Sequence, residues 1–507
     1  MNKTMFVIKT FTKLLIFCII TLLLHKTICE VTIVPLRSNP STFIPLQEME
    51  KEAWVPSRFN AQSRSDDGTL ILYNSFTGNM GGVPIENTDE ALTLLKQGIE
   101  GPATGFAADL AAGGILVKKG TDEFQRVSFQ RTDLNRPDYL HLILMPSEEC
   151  NFRCTYCYET FPRGRMHDEI VEGVKNLIQS RIQKLTKLAI SWFGGEPLSE
   201  PDILLEITDS FLPQIEKFNI EYQSIVTTNG YHLTAELCEQ LVSRGIRTFN
   251  ITLDGLQKDH DSTRILRGGA GTFDTIFTNL RALKQTSLPF KINIRNNFHP
   301  TTDIDQFLAA LSQEFAGDPR FHVYFRPVGK WGGSNDDHLT VCTERDARKT
   351  MFEADKKAIE HGLPVVTLNE FLQPFGAVCY AAKPYSFVIG SDGMVYKCTV
   401  AFDSDFNRVG RLYADGYLEL DYDKLALWVM GGGADEDSIC QRCFFRPSCH
   451  GMACPLVRIE SGKRPCPHEK TGIKEVLRVL WEQHKRFPGK NEEPTTLSYL
   501  PSALEGR

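Results

Sequence analysis

The chain is 507 residues long, enough for three domains with cores of their own, and carries a net charge of −7 with no strong basic stretch, which argues against nucleic acid as substrate or partner. Its 14 cysteines do not read as a disulfide framework, because it is small secreted domains that need one. No long-period repeat or low-complexity tract is evident, so the chemistry must be sought in short motifs.

In chain order, lysines at 3, 9 and 13 precede the apolar run Leu14–Leu24, the layout of a signal peptide and short for a membrane span. Residues 1–54 are read as this segment and a linker. Asp67–Asn74 and Gly81–Ile85 read as a hairpin, Thr88–Gly98 and Gly105–Ala112 as helices, and Gly114–Lys118 as a strand, giving a small α+β unit over 55–135. Tyr139–Met145 is an apolar stretch of strand length, and a helix is expected from Asp168 to about Lys184. Between them lies Cys150-Asn-Phe-Arg-Cys154-Thr-Tyr-Cys157. Three thiolates on one loop can hold three corners of a 4Fe-4S cube and leave the fourth iron open to a small molecule. Structural zinc fills all four positions, usually from ligands paired at two-residue spacing, which the three-then-two spacing fits poorly. The loop would project from the carboxyl end of a buried strand, where α/β barrels place their active sites.

Ser191-Trp-Phe-Gly194-Gly195-Glu196-Pro197 closes a second apolar strand. Its glycines allow a backbone to approach a ligand, and Glu196 offers acceptors to a cation. Val226–Gly230 ends a third strand and Ile251–Gly255 a fourth, while Lys291–Asn296 and Phe321–Pro327 read as strands five and six. Helical stretches Ala235–Arg244, Phe273–Lys284 and Asp303–Phe315 fall between them, the βα alternation of a parallel sheet over 136–340. Gly329–Gly333, at the mouth of the sixth strand, is a candidate lining for a substrate channel. Seven cysteines follow: Cys379, thirteen residues, Gly393, four residues, Cys398, then Cys440, Cys443, Cys449, Cys454 and Cys466. The Cys440/Cys443 pair suits a zinc ribbon as well as a cluster. Cys238 and Cys342 read as packed core thiols. Gly472–Lys485 reads as a closing helix, within a final segment 471–507 that ends in a polar, mobile tail from Lys490.

The cysteine loop, with Tyr156 just before its last cysteine, and the Gly-Gly-Glu-Pro turn after the next strand together resemble the radical S-adenosylmethionine (SAM) superfamily. The resemblance implies a partial (β/α)6 barrel. A 4Fe-4S cluster on Cys150, Cys154 and Cys157 would cleave SAM to methionine and a 5′-deoxyadenosyl radical, which takes a hydrogen atom from an unactivated carbon. It implies Tyr156 near the adenine, Gly194, Gly195, Glu196 and Pro197 around the SAM ammonium, Asn229, Thr252 and Asp254 lining the site from strand ends, and Arg264 on the SAM carboxylate. The later cysteines resemble the SPASM extension of peptide-modifying members, with one residue more than usual before Cys454. Residues 341–470 would then be a Cys-rich domain with two auxiliary 4Fe-4S clusters. Cys379, Cys398 and Cys454 would hold the first, its fourth position open or filled by a distant residue, for which Cys342 is the nearby spare thiol, and Cys440, Cys443, Cys449 and Cys466 the second. The unit at 55–135 resembles a winged-helix leader-recognition domain, whose sheet edge captures a precursor's leader as an added strand; a cap packed on the barrel explains the same pattern.

The function expected on this resemblance is maturation of a ribosomally made precursor peptide, first by thioether cross-linking, with a flavodoxin or ferredoxin as electron donor. One alternative is a sulfatase maturase forming formylglycine, although the aspartate such enzymes carry directly after the cysteine of the Gly-x4-Cys element is here Thr399. Another is a non-catalytic iron–sulfur or zinc module that presents a peptide. Oxygen-sensitive clusters point to a cytoplasmic body. Residues 1–30 are therefore read as a start placed too far upstream in preference to a membrane anchor or a secretion signal, and membrane contact is left open.

Overall fold

The computed structural model describes residues 53–160, 163–366, 368–431 and 434–487. The apolar segment at 14–24 and the tail expected from Lys490 lie outside them. Among the described residues no helix is long and apolar enough to cross a membrane.

The chain opens with short strands β1 (Trp54–Pro56), β2 (Asn60–Arg64), β3 (Leu70–Asn74), β4 (Met80–Val83) and β5 (Leu116–Lys118). β2, β3 and β4 form an antiparallel sheet, and β1 pairs with β5. The pleat of β3 divides its side chains between two cores. Leu70 and Leu72 pack with the helices Thr88–Gln97 and Phe106–Ala112, whereas Ile71 and Tyr73 join the main core of the molecule. The unit is therefore a cap seated on the rest. Its sheet meets the last helix, Ile473–Arg486, so closely that a Cβ on Gly82 would lie 2.2 Å from the Trp481 ring.

The main sheet starts with β6 (Tyr139–Ser147), buried along its whole length, as a parallel strand covered on both faces must be. β7 (Lys187–Gly194), β8 (Glu221–Thr228), β9 (Thr248–Thr252), β10 (Lys291–Phe298) and β11 (Phe321–Pro327) follow side by side in chain order, all parallel. The crossover helices begin at side-chain caps where the sequence offers them: Thr234 accepts from the Leu237 N–H at 3.2 Å, and Asp303 from the Gln306 N–H at 2.9 Å.

The sheet is larger than the six strands expected of a partial barrel. β12 (Ser386–Ile389) pairs in parallel with the outer edge of β6, and β13 (Met394–Tyr396), β14 (Arg408–Leu412) and β15 (Leu418–Leu420) extend it antiparallel to ten strands. The first strand of an open barrel has an unpaired edge, and this later segment satisfies it. The cysteine-rich region is thus continuous with the barrel sheet. The helix Glu344–Glu360 packs on β11 and on the last helix.

Candidate active site

All three cysteines of the first loop lie just beyond the carboxyl end of β6. The loop is held by backbone bonds to the end of the short helix Gln257–Thr263 and the segment after it: Arg153 N–H to Ile265 O at 2.8 Å, Thr155 N–H to Thr263 O at 2.9 Å, and Arg267 N–H to Asn151 O at 2.8 Å. This pairing delivers Arg264 to the loop. On the other side β7 ends against the loop's stem. The Gly195 N–H bonds Ser147 O and the Glu196 N–H bonds Glu149 O, both at 3.0 Å.

A cavity of about 180 Å³ is lined by Cys150, Cys154, Tyr156, Cys157, Gly194, Gly195, Asn229, Thr252 and Arg264. These nine expected site residues therefore converge. Glu196, Pro197 and Asp254 do not reach the cavity. Glu196 is 0% exposed, and its carboxylate accepts from Leu198 N–H (2.9 Å), Thr228 Oγ1 (2.6 Å) and Asn229 N–H (2.7 Å). Burial pushes its carboxyl above the usual carboxylate range, against those three donors. Its role in this arrangement is to brace the ends of β7 and β8. The glycines have a further contact: a Cβ on Gly195 would lie 2.5 Å from the Glu149 carbonyl, and one on Gly194 (φ +117°) 2.4 Å from Ser147 O. Their bareness admits the cysteine loop's own backbone, and this sets the loop against β7.

Tyr156 is the hub of the wall. Its hydroxyl donates to Asp254, and accepts from Arg264 Nη1 at 2.8 Å and Asn297 Nδ2 at 3.1 Å. Burial opposes the Arg264 charge, but Cys154, Tyr156 and Asp254 outweigh it and hold the guanidinium above its ordinary range. Arg264 is 7% exposed, and its Nε has no partner among the described residues. Arg295 and Asn297 on β10 line the same cavity and were not singled out from sequence. The signal was present, because residues two apart on a strand share a face, so a polar pair at the end of an inward face marks a site.

The residues suit the groups that the motifs imply. The Cys150 sulfur accepts from the Phe152 N–H at 3.4 Å, and Cys398, Cys443 and Cys449 accept likewise from Val400, Phe445 and Gly451, each two residues on and each at 3.4 Å. Sulfur atoms so placed are ready to hold negative charge. Burial now pushes Cys150, Cys379 and Cys449 up to about 12 and Cys157 up to about 11, so metal would have to displace protons. The later cysteines fall into two neighbourhoods: Cys379 lies near Cys398 and Cys454, and Cys449 lies near Cys440, Cys443 and Cys466. Among the described residues no three His, Cys, Asp or Glu side chains are grouped to hold a single metal ion. Cys238 is buried and Cys342 half-buried.

A second cavity, of about 650 Å³, shares Tyr158, Glu159 and Trp331 with the first and reaches Cys454. Trp331, 55% exposed, comes from the Gly329–Gly333 loop, whose Gly333 closes on the Cys157 carbonyl.

Residues 144–309 match the family model described as the radical SAM superfamily. GTP 3′,8-cyclase of Clostridium perfringens (strain 13 / Type A) is 30% identical over 281 residues, covering 52% of this chain and 80% of that protein. AdoMet-dependent heme synthase of Methanosarcina barkeri (strain Fusaro / DSM 804) is 26% identical over 217 residues, covering 41% and 56%. The chain spans little more than half the length of the first curated relatives it matches. Among solved structures, native anSMEcpe with bound AdoMet and Kp18Cys peptide superposes with a TM-score of 0.51 at 16% identity, covering 68% of this chain and 99% of that one. The cysteine loop at the end of β6, the glycine turn at the end of β7, the family match across both and the relative matched over most of its length agree: the chain belongs to the radical SAM superfamily.

Proposed function

We propose that this enzyme matures a ribosomally made precursor peptide, joining a cysteine sulfur to a carbon of another residue as a thioether. The observation that carries the reading is the pair of cavities. The smaller holds Cys150, Cys154 and Cys157, and the larger, sharing Tyr158, Glu159 and Trp331 with it, reaches Cys454 of the second cysteine group. A peptide segment in the larger cavity would lie between the two groups. The larger cavity combines aromatic side chains (Tyr158, Trp331, Tyr396, Phe402) with charged ones (Lys330, Arg408, Glu460), as a peptide's mixed surface requires. The fold-sharing anSMEcpe structure holds AdoMet and a peptide together, which supports the same division of the site.

With SAM and a 4Fe-4S cluster bound, the site supplies hydrogen-atom abstraction from an unactivated carbon. Cys150, Cys154 and Cys157 would hold the cluster. The free Nε of Arg264 would take the SAM carboxylate, and Tyr156 keeps that guanidinium in place. The backbone of Gly194 and Gly195 walls the cavity, and Trp331 with Tyr158 lines both cavities. Cys379, Cys398 and Cys454 would hold one further cluster, and Cys440, Cys443, Cys449 and Cys466 another. Thr399, at the place where a sulfatase maturase carries its aspartate, is engaged with the Tyr380 hydroxyl at 2.9 Å.

The test is anaerobic. Reconstituted protein is given dithionite, SAM and cysteine-containing precursor peptides, and products are separated by chromatography and weighed. The expected result is 5′-deoxyadenosine together with a peptide that has lost two hydrogens and kept its sulfur. Cys154→Ala abolishes both. A peptide that has exchanged its sulfur for an aldehyde oxygen would establish the formylglycine reaction instead. No 5′-deoxyadenosine from fully iron-loaded protein would overturn the enzyme reading in favour of a peptide-binding module.

A further inference from the structure

Cys440 differs from Cys443 and Cys449 of its group, while the Cys466 sulfur has, among the described residues, only an exposed contact with Lys470 Nζ at 3.9 Å. The sulfurs of Cys443 and Cys449 accept only from backbone N–H groups in the bonds described above. Cys440 Sγ accepts from a side chain, the Arg458 Nη2, at 3.1 Å. Arg458 is 8% exposed and held on two further sides, by Nη2 to Asp437 Oδ2 at 3.2 Å and by Nε to Gly451 O at 3.3 Å. Asp437 is itself fixed. Its Oδ1 accepts from the Ile439 and Cys440 N–H groups at 3.0 and 3.2 Å, capping the short helix Ser438–Gln441, and its Oδ2 also takes Arg464 Nε at 2.8 Å. The guanidinium is thus a pre-set positive charge aimed at one sulfur, in a setting where water screens it little.

We propose that Arg458 is a positioning residue that raises the reduction potential of a cluster on Cys440, Cys443, Cys449 and Cys466. This rests on the reading above that those four cysteines hold one. Adding an electron to a thiolate-bound cluster increases the negative charge carried by its sulfurs. A donor N–H and a buried cation stabilise that state more than the oxidised one, and the effect is larger at low dielectric. The Asp437 carboxylate shares Nη2 with Cys440 and faces that sulfur itself, so Arg458 supplies the positive charge that offsets it there. Cys466 is exposed, which makes this group the cysteine cluster nearest to solvent on the described surface. A raised potential there would favour holding an electron where an external carrier can reach it.

The experiment is a potentiometric titration followed by electron paramagnetic resonance on the full chain with Cys150, Cys154 and Cys157 replaced by Ala, so that only the later cysteine groups contribute. Arg458→Met should lower the midpoint of one of two signals by at least about 59 mV, a tenfold loss in the one-electron reduction equilibrium, and leave the other in place. Arg458→Lys, which keeps the charge and loses the planar fork, should lower it by less, and it carries the test if the Met variant does not load iron. Unchanged midpoints at full iron content would overturn the proposal and assign Arg458 to fold alone. Iron and sulfide analysis of the parent and of Cys443→Ala separates the other failure: if Cys443→Ala loses no iron, those cysteines hold no cluster, and the proposal falls with that reading.

Discussion

Tyr156 gathers three partners on one hydroxyl, and two of them are charged groups removed from water. Asp254 sits above its ordinary range because burial outweighs Arg264, Tyr156 and the Asn297 N–H. Removing the hydroxyl leaves Asp254 Oδ2 without its donor, with Oδ1 still bonded to the Asn297 N–H, and frees Arg264 Nη1, so the guanidinium loses the contact that orients it. A hydrogen bond to a charged group contributes about 1.5–3 kcal/mol. Tyr156→Phe should therefore weaken SAM binding by about tenfold or more, the factor that about 1.4 kcal/mol represents. Equilibrium dialysis with iron-loaded protein checks this, and unchanged affinity would show that Arg264 is held without the hydroxyl. Glu196 teaches the complementary lesson. Its residue type and motif suggest an acceptor for a ligand, and in the fold its carboxylate already accepts from Leu198, Thr228 and Asn229. A sequence lists which groups can accept. It does not list which donors the fold turns toward them.

Among the elements, those with strong periodicity were legible from the chain alone. The helix Phe273–Lys284 and the strand Phe321–Pro327 have the bounds that their apolar spacing gives, and the order of the six parallel strands follows from the βα alternation. Six short strands, β1, β2 and β12 to β15, were not legible, and two of them show different reasons. β2 is Asn-Ala-Gln-Ser-Arg, with no apolar face, and exists because β3 offers it a full antiparallel register. β12 is four residues long and lies among the late cysteines, so nothing local announces that it will pair with β6, whose register partners are 245 positions earlier. The seam between β7 and the cysteine loop was half legible: the glycines stood out, but what they approach did not. Gly195→Ala would place a Cβ 2.5 Å from both the Glu149 carbonyl carbon and its oxygen, and 2.7 Å from Glu148 O. These are backbone atoms and cannot swing aside. The substitution should push the loop off β7 and leave the buried strands intact, so that iron bound at the first site falls severalfold while the far-ultraviolet circular dichroism is retained. Normal iron content in Gly195→Ala would mean that the loop tolerates the shift.

Across the whole molecule, the segments farthest apart in sequence meet at one junction. The Ser63 hydroxyl of β2 donates to Lys474 O at 2.9 Å, Arg478 Nε donates to Arg64 O at 2.8 Å, and the Tyr73 hydroxyl lies 3.1 Å from that of Ser448 in the cysteine-rich region. The cap, the last helix, the helix Glu344–Glu360 and the barrel edge at β11 therefore stand or fall together. Buried within this junction is Asp355, 6% exposed on the helix that bridges the barrel and the last helix. Burial, reinforced by the charge of Glu469 and only partly opposed by Arg326, raises its carboxyl from 3.8 to about 7. The folded state thus keeps a proton on Asp355 over a range in which the unfolded chain has released it. When the native state binds more protons than the unfolded one, stability falls as pH rises. This contribution is complete only below 3.8, declines as pH climbs toward about 7, and is spent above it. Each unit between the two values is worth at most about 1.4 kcal/mol. Asp355→Asn presents a neutral side chain at every pH and removes the slope. Urea unfolding at a series of pH values should show the parent losing stability up to about pH 7 relative to the variant, with the variant the more stable above it. Parallel curves for the two proteins would show that Arg326 keeps Asp355 ionised throughout, and that the junction is held by an ion pair instead of a shared proton.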